Sequence, residues 1–424
     1  MTLLLGGGAC LCAAAALLAA SADFTDTTYA ARRLFGLWRL RHVAPVIVLV
    51  LVGVGLLMAA TSRHRLLSYL ATTGTTFALF GLLELGGAVG LIPWSSLLRA
   101  NSDELGGLSV ELSPNVDVVG TSFQDTAVIW GLPSDPVPFH FRTDRYGFRN
   151  HPDRAAKDVD IILLGDSILV AALVPFDRTI GAQLEAATGR PVMQVALSAI
   201  SPQREHELFD LLEADVKGKT VAQFIFEGND LVDSRIYGER GLQRLPQPGD
   251  DSLLRQMWDL LVVSTDDLGG AEGLRVCNID GSTYTFLWGR RSFEGLEAEQ
   301  QVIADALEGF ASRIRSAGGS YLVVFVPDKL RVLAPFCNFP PDGGIKDAAG
   351  ELGPFRDFVS QWAERTRIPL LDLTEPLIDS AGQGEIPWFW GDTHMNEIGQ
   401  SVAAQALRSC LEASSLTPDC GSGR

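Results

Sequence analysis

Basic residues are scarce in this 424-residue sequence, which has 34 Lys and Arg against 51 Asp and Glu, a formal net charge of −17. The first 100 residues hold seven Arg, no Lys and three acidic residues, so they carry +4 and the rest of the chain carries −21. Proteins bind nucleic acid mainly by neutralising its phosphates with Lys and Arg. We therefore expect no nucleic-acid partner.

Cysteine is also scarce, and its spacing excludes several kinds of site. The six cysteines form no CxxC pair and no zinc-type Cys/His pattern, and no His has a ligand-spaced partner, so we predict no metal. The sequence contains no Walker-type phosphate loop, internal repeat or low-complexity tract, and we expect no cofactor. Four cysteines lie beyond the first apolar segment: Cys277, Cys337, Cys410 and Cys420.

An even number of cysteines allows disulfides, and four cysteines permit three pairings. We predict Cys410–Cys420, because the nine residues between them allow the chain to close after the final helix, and Cys277–Cys337, because both lie in long inserts. Paired cysteines would indicate an oxidising compartment outside the cytoplasm.

Uncharged runs predict membrane spans in the first 100 residues. Residues 43–60 contain no charge and can cross most of a hydrocarbon core of about 30 Å, so we predict a span over 43–61. A further span is predicted over 66–92, followed by Trp94 as an interfacial anchor. The Gly- and Ala-rich stretch 2–20 predicts a weaker first span, with a targeting segment as the alternative.

The arginine count and the number of spans disagree about orientation. Four Arg precede the 43–61 span and two follow it, which favours a cytoplasmic N-terminal side for that helix. Two spans would then keep the C-terminal domain in the cytoplasm, whereas three spans from a cytoplasmic N-terminus would place it outside. We expect a multi-pass protein of the cytoplasmic membrane with an extracytoplasmic domain, and both topologies stay open here.

After residue 100 the pattern changes to apolar runs that alternate with amphipathic stretches. Five runs are typical of buried strands: 159–164, 192–197, 221–226, 321–326 and 368–373. Amphipathic segments between them predict helices, at 203–213, 299–316 and 355–366. Strands and helices that alternate predict a parallel sheet covered on both faces. The predicted fold class is α/β, a three-layer flavodoxin-like parallel sheet preceded by N-terminal transmembrane helices.

The same patterns set the domain boundaries. We assign residues 1–100 to the membrane region, 101–157 to an irregular lead-in and 158–424 to the α/β domain, with a long insert at 231–298. Inserts that follow the carboxyl ends of strands commonly form the walls of sites in such folds.

Polar residues follow three of the predicted strands, at the sheet edge where open α/β folds bind ligands. These groups are Gly165-Asp166-Ser167, Glu227-Gly228-Asn229-Asp230 and Gly391-Asp392-Thr393-His394. Together they supply a nucleophile, a hydrogen-bond donor for an oxyanion, a base and an acid that orients the base, as acyl transfer requires. A lone Ser after a strand is commonly only a helix cap, and we give Asp166 such a structural role.

The three blocks, LLGDS, GND and D-x-H in this order, resemble those of the SGNH (GDSL-like) hydrolase and acyltransferase superfamily. The resemblance covers about 142–411, since RTDRYGFRN is similar to the lead-in of membrane-anchored members. It implies the SGNH hydrolase type of sheet, with Ser167 as nucleophile, His394 as base and Asp392 as the orienting acid. The implied oxyanion donors are the N–H groups of Ser167 and Ala199 and the side-chain amide of Asn229.

Two further positions bear on the resemblance. The second block, VMQVALSAIS, lacks the family's glycine, and Ala199 stands in its place. Ala adopts a positive φ only at a cost, so the second oxyanion donor depends on the backbone there. The segment from Val326 to Lys329 resembles the Pro-x-Lys turn of alginate-type O-acetyltransferase relatives. This implies Lys329 as a substrate-binding residue, with a solvated surface lysine as the alternative.

The resemblance implies a membrane-anchored serine esterase or O-acyltransferase that acts on ester-linked acyl groups, with acetylated carbohydrate as the expected substrate. Hydrolysis and transfer share the first half-reaction, so the acceptor stays open between water and a sugar hydroxyl. Transfer would require a membrane partner that donates the acyl group. The alternative is a catalytically silent carbohydrate-binding or assembly module of the same fold.

Overall fold

The structure is a computed structural model that describes residues 2–20, 33–34, 38–88, 114–130, 132, 134, 136–212, 214–240, 275–341 and 344–412. The chain forms two compact units, a helical one described over the first 88 residues and an α/β one whose described residues begin at 114. Several predicted features lie outside the described residues: Trp94, the lead-in up to 113, the insert over 241–274 and Cys420.

The helical unit contains three helices and one short strand pair. They are α1 (Thr2–Ala20), β1 (Arg33–Leu34), β2 (Trp38–Arg39), α2 (Leu40–Thr61) and α3 (Arg63–Ala88). α1 and α2 approach closely at two glycines, because a Cβ on Gly7 would lie 2.9 Å from the carbonyl oxygen of Gly53. Small residues allow such close approach between membrane helices. Tyr69 Oη of α3 donates a hydrogen bond to the Leu51 carbonyl of α2 at 2.7 Å.

One described helical segment is long and apolar enough to cross a membrane, Arg63–Gly87 within α3. The apolar stretches of α1 and α2, Thr2–Leu17 and Val46–Thr61, are shorter. The span predicted over 66–92 therefore contains a described stretch that meets the criteria of length and composition, whereas the described apolar stretches within 2–20 and 43–61 are shorter. A multi-pass arrangement remains a proposal.

A parallel sheet forms the centre of the α/β unit. The described strands of this unit are β3 (Asp117–Ser122), β4 (Val137–Arg142), β5 (Ile161–Gly165), β6 (Val192–Ala196), β7 (Thr220–Phe226), β8 (Val276–Ile279), β9 (Ser282–Thr285), β10 (Ser320–Val326) and β11 (Leu370–Asp372). Five of them pair in the order β11-β10-β7-β5-β6, all parallel. This order, with the first strand next to the second and third, is the flavodoxin-like one. The predicted parallel α/β sheet is confirmed.

Helices cover the sheet on both faces. Those of this unit are α4 (Asp125–Trp130), α5 (Ser167–Val170), α6 (Ile180–Thr188), α7 (Pro202–Asp210), α8 (Asp230–Arg240), α9 (Glu297–Ser316), α10 (Lys329–Leu333), α11 (Phe355–Thr366), α12 (Thr374–Gly382) and α13 (Glu397–Glu412). Alternate residues of β5 point to opposite faces. Ile161 and Leu163 pack with α6 and α13, whereas Ile162 and Leu164 pack with α7, α9 and α11. The two apolar cores fix the register of the sheet.

The lead-in and the insert are more regular than predicted. β3 and β4 pair as an antiparallel hairpin inside the segment expected to be irregular. β8 and β9 form a second hairpin in the insert, which begins with α8. Both hairpins have short strands that bury only part of their side chains, so their hydrophobic alternation in the sequence is weak.

A disulfide ties the second hairpin to the segment after α10. Cys277 of β8 is bonded to Cys337, with their Cα atoms 5.4 Å apart and 60 residues between them in sequence. The adjacent residues pair as well, since Asn278 and Asn338 exchange backbone hydrogen bonds of 3.0 and 2.9 Å. Cys410 is buried in the last turns of α13, and its predicted partner Cys420 lies outside the described residues.

We predict that Cys277→Ser lowers the free energy of unfolding by about 4 kcal/mol, because the bond closes a loop of about 60 residues and restricts the unfolded chain. Chemical denaturation of the full chain in detergent measures this loss. Cys10→Ser is the matched control, since Cys10 is a free thiol of the helical unit. Mass spectrometry of unreduced protein that finds Cys277 and Cys337 as free thiols would contradict the prediction.

Candidate active site

β5 ends in a tight turn that presents Ser167 at the carboxyl edge of the sheet. A Cβ on Gly165 would lie 2.8 Å from Leu169 Cδ1, so this strand-to-helix turn has no room for a larger residue. Asp166 caps α5, because its Oδ1 accepts a hydrogen bond from the Ile168 N–H at 2.9 Å. Ser167 is therefore the first residue of the helix and stays partly exposed, while Asp166 takes the structural role expected of it.

The loop before α13 holds an acid and a base in direct contact. Asp392 Oδ1 lies 2.6 Å from His394 Nδ1 and also accepts the backbone N–H of His394 at 2.9 Å. Asp392 is buried, whereas the side chain of His394 is 31% exposed. The bond at Nδ1 leaves Nε2 as the nitrogen available for proton exchange.

Asp392 and His394 each favour the charged form of the other. Burial disfavours the charged imidazole, but the charge and hydrogen bond of Asp392 outweigh it and raise the pKa of His394 to about 9. Burial likewise opposes ionisation of Asp392, and the neighbouring imidazolium outweighs it and lowers the pKa of that carboxyl. Asp392 thus stays ionised and orients the ring.

Ser167, Asp392 and His394 line one cavity of about 50 Å³. The structure thus brings the nucleophile and the acid–base pair, which are more than 200 residues apart in sequence, to the same place. The other lining residues are Asp125, Ala171, Ala172, Leu173, Val174, Ser198, Phe389 and Met395. Most of these walls are apolar, so the cavity suits a small apolar group beside the serine. Among the described contacts, Ser167 Oγ makes no hydrogen bond to His394.

Asp125 is a titratable residue of this site that we did not predict. It belongs to α4, and its carboxylate Oδ2 lies 3.8 Å from His394 Nδ1. Burial and the nearby Asp392 raise the pKa of Asp125 to about 6. The lead-in around it carries no motif, so sequence reasoning had no signal beyond an acidic residue before a short apolar run.

Asn229 lies apart from the cavity in this structure. Its Nδ2 donates to Asp233 Oδ2 at 2.7 Å, and it is absent from the residues that line the cavity. Burial and the charge of Asp166 raise the pKa of Asp233 to about 7, while the bond from Asn229 opposes that rise. The amide nitrogen has two N–H donors, so one remains for the expected oxyanion role while the other bonds to Asp233.

The loop that follows β6 shows which backbone conformation Ala199 adopts. Ala199 has a φ of +54°, the left-handed conformation that Gly adopts most readily. Its neighbour Ser198 lines the cavity. The alanine therefore takes up the backbone geometry expected of the family's glycine, and its N–H remains a candidate donor.

Lys329 is not the solvated surface lysine that was the alternative, and its expected role in binding substrate stays a prediction. Its side chain is buried, and Nζ donates to the carbonyl oxygens of Phe389, Trp390 and Asp392 at 2.8, 2.9 and 3.0 Å. These bonds use all three ammonium donors. Burial lowers the pKa of Lys329 to about 7 despite the carboxylates nearby. Lys329 therefore holds the loop that carries the acid and the base.

Asp125, Asp392 and His394 lie close enough together to be considered as possible metal ligands. Ligand atoms of Asp125, Asp392 and His394 all lie within 4.8 Å of one another. The nearest two, however, are joined by a 2.6 Å hydrogen bond, and Asp125 Oδ1 already accepts a backbone N–H. We interpret the cluster as a hydrogen-bonded acid–base group, and the expected absence of a metal stays a prediction.

Comparison with known proteins gives matches by structure only. No family model matches the chain, and no curated protein sequence is similar to it. Esterase EstA of Pseudoalteromonas sp., a psychrotrophic enzyme, matches with a TM-score of 0.29 and 12% identity over 58% of this chain and 92% of its own. LAE5, an α/β hydrolase from the metagenome of Lake Arreo in Spain, matches with a TM-score of 0.32 and 15% identity over 61% of this chain and 99% of its own.

A carbohydrate esterase family 2 enzyme of Corynascus thermopiles, with its carbohydrate-binding domain, matches with a TM-score of 0.29 and 14% identity over 62% of this chain and 68% of its own. Identities this low do not transfer an activity. We therefore derive the function from the site itself.

The backbone at residue 199 yields a prediction. An L-residue in the left-handed region costs about 1–2 kcal/mol, whereas Gly loses about 0.5–1 kcal/mol of extra chain entropy on folding. Ala199→Gly should therefore raise the free energy of unfolding by about 0.5–1 kcal/mol, measured by chemical denaturation. Ala199→Val is the opposite control, because a β-branched residue is strained there, and it should destabilise. A loss of stability in the glycine variant would refute the assigned backbone.

Proposed function

We propose that the protein is a serine-dependent enzyme that cleaves ester-linked acyl groups, with Ser167 as nucleophile, His394 as base and Asp392 as orienting acid. The observation that carries this proposal is the shared cavity, in which Ser167 meets an imidazole held by a 2.6 Å bond to a buried carboxylate. The ordered blocks that resemble SGNH hydrolases and acyltransferases support the same assignment.

The proposed reaction has two halves. His394 Nε2 takes the Ser167 proton as Oγ attacks the ester carbonyl, and the ester C–O bond breaks when the tetrahedral oxyanion collapses. The leaving alkoxide takes the proton back from His394, so an alcohol and an acyl-serine result. N–H groups of Ser167 and Ala199 are the proposed oxyanion donors, joined by the second N–H of the Asn229 side-chain amide. In the second half, His394 activates the acceptor that releases the acyl group.

The cavity supports a short acyl group. Its volume of about 50 Å³ holds a few water-sized groups, and Leu173, Val174 and Phe389 provide apolar walls. An acetyl group fits this description. We therefore propose an acetyl ester as the substrate, carried by a carbohydrate or another surface molecule.

The proposal has two versions, which differ in the molecule that accepts the acyl group. Water would make the protein an esterase, and a sugar hydroxyl would make it an O-acetyltransferase like the alginate-type relatives that the Val326–Lys329 turn resembles. A transferase would need a membrane partner to donate the acyl group. Comparing free acetate with acetylated sugar in one reaction separates the two versions.

The helical unit supports a membrane anchor. α3 contains the segment that can cross a membrane, and α1, α2 and α3 contact one another through Gly7, Gly53 and Tyr69. We propose that the three helices cross the cytoplasmic membrane as a bundle and leave the α/β unit outside. The Cys277–Cys337 disulfide supports this placement, because such bonds persist in oxidising compartments.

Two observations are compatible with a second candidate function, a silent binding or assembly module. Ser167 Oγ has no hydrogen bond to His394 among the described contacts, and Asn229 donates to Asp233. Catalytic hydrogen bonds are often long before substrate binds, so these contacts fit both candidates. The intact Ser, His and Asp in one cavity favour the enzyme.

We predict that Ser167→Ala and His394→Ala each lower the hydrolysis of 4-nitrophenyl acetate by at least about 10⁴-fold, because each removes one half of the proton-transfer pair. Ser409→Ala, on the outer face of α13, is the control and should retain full activity. Purified full chain in detergent is assayed, with thermal melting to show that each variant is folded. A folded Ser167→Ala protein that keeps its activity would overturn the proposal.

The three-span topology is tested by reporters fused after Arg424. We expect active alkaline phosphatase and a dark fluorescent-protein fusion, because the phosphatase matures only outside the cytoplasm. A fusion of the phosphatase after Ser62, between α2 and α3, is the internal reference for the opposite side of a three-span bundle. Fluorescence at the C-terminus would contradict the surface-glycan substrate while leaving the chemistry of Ser167 untouched.

A further inference from the structure

Asp125 of the lead-in binds the loop that carries His394 through both its backbone and its side chain. The Asp125 N–H donates to Asp392 Oδ2 at 2.9 Å, and Asp125 Oδ1 accepts the Thr393 N–H at 2.8 Å. Asp125 Oδ2 accepts the hydroxyl of Thr393. Asp125 thus contacts both residues that precede His394.

The neighbours of Asp125 extend this contact into a small interface. Gln124 Oε1 accepts the Gly391 N–H at 2.7 Å, and the Ala127 N–H donates to the Gly391 carbonyl at 2.8 Å. A Cβ on Gly391 would lie 2.8 Å from the Cβ of Ala127, so only Gly permits this approach. The docking of the two segments is therefore specific and depends on close backbone contact.

Charged groups surround His394 from several elements. Asp392 lies on its own loop, Asp125 on α4 and Asp166 at the end of β5, and all three favour the charged imidazole. Lys329 of α10 lies behind the loop, with its Nζ on the Asp392 carbonyl. Asp125 is the only one of these carboxylates that comes from the lead-in, and it is 3.8 Å from Nδ1.

We infer that Asp125 is a positioning residue for the base: its carboxylate holds Thr393 and His394 in place and sets a second negative charge beside the imidazole. This inference rests on the proposed function, since it concerns the base of that reaction. It has two separable parts. The hydrogen bonds fix where His394 lies, and the charge governs the pH at which His394 becomes neutral and can accept a proton.

The direction of the pH effect follows from the charge. His394 acts as a base only when neutral, so the rate falls as the pH drops through the pKa of His394. A negative charge beside the ring favours the protonated form and raises that pKa. Removing the charge of Asp125 should lower the pKa of His394 and move the acid limb of the rate profile to lower pH.

Two substitutions separate the parts. Asp125→Asn is nearly isosteric, keeps an oxygen for the Thr393 N–H and offers an N–H to the Thr393 hydroxyl, so it removes the charge alone. Asp125→Ala removes the side-chain bonds as well, while the backbone bond to Asp392 remains. Asp177→Asn is the matched control, because Asp177 is an exposed carboxylate whose ion pair is with Arg178.

The full chain in detergent is assayed with 4-nitrophenyl acetate from pH 5 to 10. In Asp125→Asn we expect the acid limb of kcat/KM to move down by about one pH unit, with the plateau kcat nearly unchanged. In Asp125→Ala we expect the plateau kcat to fall by about 10- to 100-fold as well, because the base is misplaced. The Asp177→Asn profile should coincide with that of the unmodified protein.

A second readout does not depend on catalysis. With histidines labelled with ¹⁵N, an NMR titration follows the His394 ring, assigned by its loss in His394→Ala, and the pKa should be lower in Asp125→Asn than in Asp177→Asn. An unchanged His394 pKa and acid limb in Asp125→Asn would overturn the inference, as would a full plateau kcat in folded Asp125→Ala. A loss confined to KM would make Asp125 a substrate contact and also overturn it. If Ser167→Ala shows the proposed function to be wrong, the NMR titration still tests the position of the charge.

Discussion

The loop from Phe389 to His394 has no regular secondary structure, and its shape depends on buried hydrogen bonds from other parts of the chain. Lys329 Nζ donates to three carbonyls of this loop, and the Thr285 N–H donates to the Trp390 carbonyl at 2.9 Å. Asp125 and its neighbours hold the other side. Each bond contributes about 1 kcal/mol net, but leaving a buried partner unpaired costs more, so the loop is fixed cooperatively. The loop that carries the acid–base pair is therefore held by three segments: the lead-in, the insert and α10, which follows β10.

The packing of these three segments around the loop also explains why several charged groups lie close together inside the domain. An unpaired ammonium inside the domain would be unstable, but Lys329 replaces its lost water with three carbonyl oxygens and lies near Asp392 and Asp125. The ammonium offsets the repulsion between the buried carboxylate of Asp392 and the partly exposed one of Asp125. Burial alone opposes ionisation of Asp392, but the charge and hydrogen bond of His394 outweigh it, and the ionised carboxylate orients the imidazole.

The sheet and the residues at its edge could be predicted from sequence, because five buried strands leave long apolar runs and polar blocks follow three of them. Asp392 and His394 were within reach for the same reason, since a carboxylate two residues before a histidine needs only a turn to make contact. Asp125 could not be found this way, because its function depends on a contact across 267 residues that no local pattern records. The buried position of Lys329 could not be predicted, since a strand-end lysine gives no sign that three carbonyls lie within its reach. The hairpins were missed because short, half-buried strands alternate only weakly.

The central claim is that His394 activates Ser167, and covalent labelling with a fluorophosphonate tests it most directly. The reagent reacts with a serine only when a neighbouring base makes it nucleophilic. We predict labelling of the full chain in detergent, with mass spectrometry locating the adduct on Ser167, and loss of labelling in folded His394→Ala. An unlabelled Ser167 in folded protein, or labelling that persists without His394, would contradict the account.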